Sequence, residues 1–133
     1  MTATIYHNPK CSTSRNALAL ARHAGLNPTI IEYLDSPPDK DTLRELIDAS
    51  GLTVRDVIRR KEPIFAELSL SSEGITDDQL LGAIVQHPIL LERPILITDQ
   101  GVRLCRPLET ALDILPPLPS DFIKENGDPL QRA

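Results

Sequence analysis

Within the first 34 residues a helical segment separates two β-prone segments, and this arrangement restricts the fold more than any other feature of the chain. Residues 3–6 alternate in polarity and predict a strand, which an Asn-Pro turn ends. A helix with apolar residues at near-helical spacing then runs from Ser12 or Thr13, either of which can cap it, to Gly25. Residues 29–34 predict the second strand. Two strands joined by one helix form a βαβ unit, in which the strands are parallel and the crossover is right-handed.

The rest of the chain predicts a long helical block and then a hairpin. Residues 37–88 carry helical patterns that prolines and glycines interrupt. Residues 95–98 and 102–105 flank an Asp-Gln-Gly turn, which predicts an antiparallel hairpin, and a last helix begins at Pro107. The order of elements is therefore β-α-β, helical insertion, β-β-α. Without the insertion this is the order of a thioredoxin-like fold, so we expect an α/β protein with a mixed four-stranded sheet.

These patterns divide the chain into one domain and a tail. We expect a single thioredoxin-like domain over residues 1–115, with the helical insertion at about residues 37–88. Residues 116–133 contain four prolines and few apolar residues, and they predict an irregular or mobile C-terminal tail. A chain of 133 residues is long enough to bury a core without disulfides or metal ions.

The composition is that of an ordinary globular protein, with 41% hydrophobic and 25% charged residues. No apolar run is long enough to span a membrane, and the N-terminus lacks the basic and apolar regions of a secretory signal. The only cysteines, Cys11 and Cys105, do not make a disulfide framework, so we expect a reduced, cytoplasmic setting. No His/Cys cluster has metal-ligand spacing, and we expect no metal.

The net charge of −5 argues against general nucleic-acid binding, which requires a basic face. The charges are unevenly distributed, because no acidic residue precedes Glu32. The cationic residues before it are Lys10, Arg15 and Arg22. Such a basic stretch on an acidic protein suits a small anion or an ionised thiol, although a chance run of solvated charges has the same pattern.

Cys11 follows the first strand and its turn and precedes the first helix, in the segment YHNPKCSTSRNALAL. α/β proteins place their chemistry at the carboxyl ends of strands, and the unpaired N–H groups of a helix start attract an anion there. The neighbouring Lys10 and Arg15 have no acidic residue close in sequence to offset them. Each feature lowers the pKa of a thiol from its ordinary value of about 8.5. We expect a reactive thiolate, the alternative being a small buried hydrophobic residue.

Ser14 stands three residues after Cys11, where dithiol redox proteins carry a second cysteine. A CxxS site cannot close its own disulfide, so an oxidised Cys11 needs a thiol from solution or from Cys105. Cys105 lies in an apolar strand, which favours burial and leaves an external thiol as the expected reductant.

Two arginines, Arg93 and Arg106, lie at predicted strand ends, each directly before a proline. Either one alone would most simply be solvated or paired with an acid. Strand ends in this fold can face the Cys11 loop, however, and converging guanidinium groups bind a tetrahedral oxyanion through bidentate hydrogen bonds. His7 precedes the loop and can orient it, act as an electrostatic partner or base for Cys11, or serve a structural role.

Four segments together resemble the glutathione- and glutaredoxin-dependent arsenate reductases of bacteria: YHNPKCSTSRNAL, RDVIRRKEP, TDDQLLGAIVQHPILLERPILIT and GVRLCRPLETALDIL. The resemblance covers residues 4–115 and implies a thioredoxin-like fold with a helical insertion. It implies that Cys11 is the nucleophile and that His7 helps to lower the pKa of its thiol. It further implies that the oxyanion is bound by Arg59, Arg93 and Arg106, and that the active-site loop includes Asn8, Ser14 and Arg15. Pro94 is implied to follow a cis peptide bond and to face the site.

The resemblance also implies a reaction. The Cys11 thiolate attacks arsenate with loss of water or hydroxide, and the arginines hold the resulting thiol-arsenate ester. Glutathione, the co-substrate, reduces the arsenic and becomes disulfide-linked to Cys11, after which glutaredoxin removes it and arsenite leaves. No metal or tightly bound cofactor is required, and neither nucleic acid nor a membrane is an expected partner. The segment after Arg59 is shorter and more basic than the family pattern, which leaves Arg60 as an alternative contact to the anion.

Two other functions fit the same fold. One is a thioredoxin-like regulator that senses oxidation and binds RNA polymerase, although many such regulators carry CxxC where this chain has Cys11-Ser-Thr-Ser14. The other is a general glutathione-linked thiol oxidoreductase without an oxyanion site, and only the set of arginines argues against it.

Overall fold

The βαβ unit and the hairpin combine into one sheet in the computed structural model, which describes residues 1–130. The strands are β1 (Ala3–His7), β2 (Thr29–Glu32), β3 (Ile95–Thr98) and β4 (Gly101–Leu104), in the spatial order β2-β1-β3-β4. Strands β1 and β2 are parallel, whereas β3 runs antiparallel to both β1 and β4. The prediction of a thioredoxin-like mixed four-stranded sheet is confirmed.

The sheet belongs to a unit made of Met1–Glu32 and the segment from Arg93 onward, and Tyr33–Glu92 forms a second unit. The last part of the predicted tail, residues 131–133, lies outside the described residues. No helix among residues 1–130 is both long enough and apolar enough to cross a membrane.

One face of the sheet carries the core of the first unit. Strands β1 and β3 place Ile5 and Leu96 opposite each other on this face, and both side chains are fully buried. Helix α1 (Ser12–His23) buries Leu20 and Ala21 in the same cluster. These residues meet because alternate side chains of a strand share a face, as do helical residues three or four apart. This packing holds the turn between β1 and α1 at the carboxyl end of β1.

The predicted last helix is a 3₁₀ helix, Leu108–Ile114, rather than an α-helix. Its end is tied to the sheet, because the Ile114 carbonyl accepts a 2.7 Å hydrogen bond from Thr98 Oγ1. Pro116 disfavours helical geometry at the residue before it. The segment between Pro107 and Pro116 is therefore short, and short connecting segments commonly adopt the tighter 3₁₀ geometry.

The second unit, all of which is described, is helical and confirms the predicted insertion. Its α-helices are α2 (Lys40–Ser50), α3 (Val54–Val57), α4 (Pro63–Glu67) and α5 (Asp77–Gln86), followed by a 3₁₀ turn, Pro88–Leu90. Asp39 caps α2 by accepting a 2.8 Å hydrogen bond from Thr42 N–H. Thr76 and Gln79 form a capping box at α5. Both caps satisfy N–H groups that a helix start leaves unpaired.

The C-terminal segment, which we define as residues 116–130, contains no α-helix or strand but is anchored to the first unit. Phe122 and Leu130 are buried in the core cluster, and Leu130 N–H donates a 2.9 Å hydrogen bond to the Phe122 carbonyl. Glu125 accepts two hydrogen bonds from Arg15 on α1, at 2.6 and 3.0 Å. Apolar and ionic contacts therefore hold the C-terminal segment against the first unit, although its proline content alone predicts an irregular tail.

We predict that Phe122→Ala destabilises the protein by about 3 kcal/mol, because the substitution removes a buried aromatic ring from the core. Ile123→Ala is the matched control, since Ile123 is 54% exposed. Its truncation should cost less than about 0.5 kcal/mol. Urea unfolding of both variants measures the two free energies. Equal costs would mean that the C-terminal segment is not packed into the core in solution.

Candidate active site

Cys11 itself occupies the N-cap of α1, where the sequence predicted Ser12 or Thr13. The prediction was wrong because the turn closes earlier: Cys11 N–H donates a 3.0 Å hydrogen bond to the Asn8 carbonyl. Cys11 is therefore the last extended residue, and its carbonyl accepts a 3.0 Å hydrogen bond from Arg15 N–H. An N-cap side chain lies beside the unpaired N–H groups and the positive dipole end of the helix. The fold thus brings the sulfur to the start of α1.

The surroundings of Cys11 lower the pKa of its thiol below the ordinary value. Partial burial of the sulfur acts in the opposite direction, but the groups that stabilise the thiolate outweigh it. These groups are the backbone N–H of Ser14, the guanidinium of Arg93 and the backbone N–H of Thr13. All of them favour the charged form by donating hydrogen bonds or by carrying positive charge.

The structure brings Arg93 and Arg106 to the same sulfur. Arg106 Nη1 lies 3.9 Å from Cys11 Sγ and donates a 3.2 Å hydrogen bond to the Arg93 carbonyl. Arg93 Nε and Nη1 are buried and have no hydrogen-bond partner among residues 1–130. An unpaired buried donor costs about 1–3 kcal/mol, and these N–H groups can still donate to a further acceptor. The assignment of Arg93 and Arg106 to oxyanion binding stays a prediction. The peptide bond before Pro94 is cis, as the resemblance implies, and so is the bond before Pro107, which was not predicted.

His7 is buried, and this burial lowers the pKa of its imidazole below 6.5. Burial therefore disfavours the charged imidazolium, and the role of His7 in lowering the pKa of Cys11 stays a prediction. Its Nδ1 lies 2.6 Å from Ser14 Oγ, and the same hydroxyl accepts a 3.0 Å hydrogen bond from Asn8 N–H. His7 thus positions Ser14, whose backbone N–H stabilises the sulfur.

Arg15 is paired with an acid, although no acidic residue lies near it in the sequence. Arg15 Nη2 lies 2.6 Å from Glu125 Oε1, and Nη1 donates a 2.8 Å hydrogen bond to the Pro9 carbonyl. The two partners are 110 residues apart, so no local signal could have identified Glu125 as part of this region. Within the loop, Asn8 Oδ1 accepts a 3.0 Å hydrogen bond from Lys10 N–H. Arg15 therefore braces the loop against the C-terminal segment.

Cys105 lies in the core of the first unit, as predicted. Its side chain is fully buried, and burial raises the pKa of its thiol to about 12. Its Sγ contacts the Arg103 carbonyl at 3.7 Å. A protonated, enclosed thiol is a poor nucleophile, so Cys105 is not a second reactive cysteine.

Arg59 belongs to the second unit and is engaged by two carboxylates there. Its Nη1 lies 2.5 Å from Glu92 Oε1, and its Nε lies 3.4 Å from Glu62 Oε1. Arg60 is exposed in the same unit. The assignment of Arg59, or of Arg60 in its place, to oxyanion binding stays a prediction.

Comparisons with known proteins give one consistent result. A model of the ArsC family matches residues 6–114. A curated arsenate reductase of Rhizobium meliloti (strain 1021) is 52% identical over 129 residues, which cover 96% of this chain and 92% of the relative. One of Escherichia coli is 48% identical over 126 residues, with 94% and 89% covered. The solved arsenate reductase of Vibrio cholerae superposes with a TM-score of 0.83 at 43% identity, covering 86% of this chain and 98% of that chain.

Because the Arg93 guanidinium favours the thiolate, Arg93→Gln should raise the pKa of Cys11. The pH dependence of Cys11 alkylation by iodoacetamide measures this pKa, since the thiolate is the reacting form. The curve of the variant should lie at higher pH than that of the wild type. Arg103→Gln is the control, because Arg103 pairs with Asp113 at 3.4 Å, and it should leave the curve in place. An unmoved curve for Arg93→Gln would show that Arg93 does not stabilise the sulfur.

Proposed function

The chain belongs to the ArsC family, and from this premise we propose that it is an arsenate reductase in which Cys11 is the nucleophile. The proposal rests on one observation: at the start of α1, the Cys11 thiol with its lowered pKa lies beside the guanidinium groups of Arg93 and Arg106. The activity predicted from the sequence agrees with the names of the relatives, and arsenate is the substrate that those names imply.

Arsenate is a tetrahedral oxyanion, and the geometry around Cys11 suits such an ion. The unpaired N–H groups of Arg93 and the guanidinium of Arg106 supply directed donors for its oxygens. The Cys11 thiolate attacks the arsenic, an S–As bond forms, and one oxygen leaves as water or hydroxide. The guanidinium groups offset the negative charge of the attacking sulfur and of the arsenate, which would otherwise repel each other.

We assign the reduction to glutathione and glutaredoxin, the thiols of a cytoplasmic setting. A glutathione thiolate attacks the Cys11 sulfur, the electron pair of the S–As bond passes to arsenic, and As(V) becomes As(III), which is released as arsenite. Cys11 is left in a disulfide with glutathione. A glutaredoxin thiolate then attacks the glutathione sulfur and frees Cys11. The scheme needs no metal and no tightly bound cofactor, and the burial of Cys105 supports an external source of thiol.

The two rival functions account for less of this geometry. A general glutathione-linked oxidoreductase would use the Cys11 thiolate that Arg93 stabilises, but it would bring no tetrahedral oxyanion to the unpaired Nε and Nη1 donors of Arg93. A dithiol redox regulator would need a second thiol within reach of Cys11, and Ser14 occupies that position in the sequence.

The proposal predicts arsenate-dependent NADPH oxidation when glutathione, glutaredoxin and glutathione reductase are supplied. Cys11→Ser should reduce turnover to background, because an unactivated hydroxyl is a weak nucleophile. Cys105→Ala should retain more than about half of the activity, because a buried, protonated thiol takes no part in exchange.

Oxidation that is equal with and without arsenate would exclude the proposed activity. A folded but inactive Cys105→Ala variant would contradict the external-thiol scheme in favour of an internal disulfide relay.

A further inference from the structure

We propose that Glu125 in the C-terminal segment is a positioning residue of the active site, which acts through Arg15 on the turn that places Cys11 at the N-cap of α1. The proposal rests on the proposed function, because it concerns the nucleophile of that reaction. It gives the C-terminal segment a role in the chemistry in addition to its packing against the core.

Arg15 connects two parts of the chain that are far apart in the sequence. On one side, its Nε and Nη2 donate hydrogen bonds to the two carboxylate oxygens of Glu125, at 3.0 and 2.6 Å. On the other side, its Nη1 donates a 2.8 Å hydrogen bond to the Pro9 carbonyl. A guanidinium group is planar and rigid, so a carboxylate that binds one edge also fixes the direction of the remaining N–H groups. Glu125 therefore holds Arg15 in the orientation that reaches Pro9.

Pro9 lies inside the turn that decides the position of the sulfur. The turn is closed by the 3.0 Å hydrogen bond from Cys11 N–H to the Asn8 carbonyl, and Pro9 lies between these two residues. Arg15 N–H also donates a 3.0 Å hydrogen bond to the Cys11 carbonyl, so Arg15 holds the turn at two points. Without the contact to Pro9, the sulfur is less firmly fixed beside the N–H groups at the start of α1.

The backbone that carries Glu125 is itself fixed. Glu125 N–H donates a 2.9 Å hydrogen bond to Asn16 Oδ1 on α1. Phe122 and Leu130, on either side of Glu125 in the sequence, are buried in the core cluster. An exposed ion pair usually contributes little, because ordering two long side chains costs entropy. Here the backbone on both sides of the pair is already ordered, so Glu125 can hold Arg15 in one direction.

The electrostatic effect of Glu125 has the opposite sign to its positioning effect. The Glu125 carboxylate and, more weakly, the charge of Cys11 raise the pKa of Arg15, so the guanidinium and the thiolate attract each other. Removal of the Glu125 charge alone would therefore lower the pKa of Cys11, whereas release of the turn raises it. The Arg15 and Glu125 side chains are 43% and 45% exposed, so solvent screens the charge effect and we expect the positioning effect to prevail.

Glu125→Ala should raise the pKa of Cys11 and slow its alkylation by iodoacetamide at neutral pH about two- to fivefold, as expected for the loss of one partly exposed ion pair. The pH dependence of alkylation, followed by mass spectrometry of the intact protein, measures this pKa. Asp121→Ala is the matched control, because Asp121 is an exposed acid of the same segment. It should leave the curve in place, and thermal unfolding checks that both variants are folded.

A double-mutant cycle tests whether Glu125 acts through Arg15. Arg15→Ala should itself raise the pKa of Cys11, and Glu125→Ala should add no further shift in that background. A Cys11 pKa that is unchanged or lowered in Glu125→Ala would overturn the proposal. A further shift in the Arg15→Ala background, or an equal shift in Asp121→Ala, would overturn it as well.

Arsenate turnover separates failure of this proposal from failure of the proposed function. Glu125→Ala should lower kcat about two- to fivefold and leave KM for arsenate within about twofold, because the guanidinium groups of Arg93 and Arg106 stay in place. A raised KM with an unchanged kcat would contradict the positioning role. If the wild-type protein shows no arsenate-dependent turnover, the proposed function fails, while the alkylation curves of Cys11 still show whether Glu125 positions the sulfur.

Discussion

The hydrogen bond from Cys11 N–H to the Asn8 carbonyl is the contact on which the site depends, because it makes Cys11 the residue that begins α1. Had the helix begun at Ser12 or Thr13, which helix-capping preferences favour, the sulfur would precede the cap. At the N-cap it lies beside N–H groups that are fixed by the helix and need no further ordering. The packing of α1 against β1 keeps those donors in place, so stabilisation of the thiolate follows from the fold.

The positive charge around the sulfur is smaller than the amino-terminal sequence suggests. Glu125 pairs with Arg15, and burial disfavours the charged form of His7. Two guanidinium groups, those of Arg93 and Arg106, lie at the sulfur itself and are delivered by the ends of strands. A diffuse basic surface would attract any polyanion, whereas two guanidinium groups offer directed donors for one small tetrahedral ion. Localised charge of this kind is compatible with a net charge of −5.

The parts of the structure that could be predicted are those set by local patterns. Strand alternation, helical spacing and turn signals each involve residues that are close together in the sequence. These local patterns were enough to predict the order of elements and the mixed sheet. The N-cap could not be predicted, because Cys11 competes with two neighbouring hydroxyl residues and the turn at Asn8 decides between them. Arg15 and Glu125 are 110 residues apart, so no local sequence pattern indicates that they pair. The anchoring of the C-terminal segment was missed for the same reason.

The burial of the second cysteine supports the proposal that the reducing thiol comes from outside the chain. Cys105 directly precedes Arg106, so its backbone is close to the site while its side chain is enclosed in the core. Burial raises the pKa of Cys105 to about 12, so its thiol is protonated at neutral pH. Thiol–disulfide exchange needs a thiolate that can reach the sulfur it attacks, and Cys105 meets neither condition. An internal disulfide could compete only if the core of the first unit opened, so Cys11 stays available to a thiol from solution.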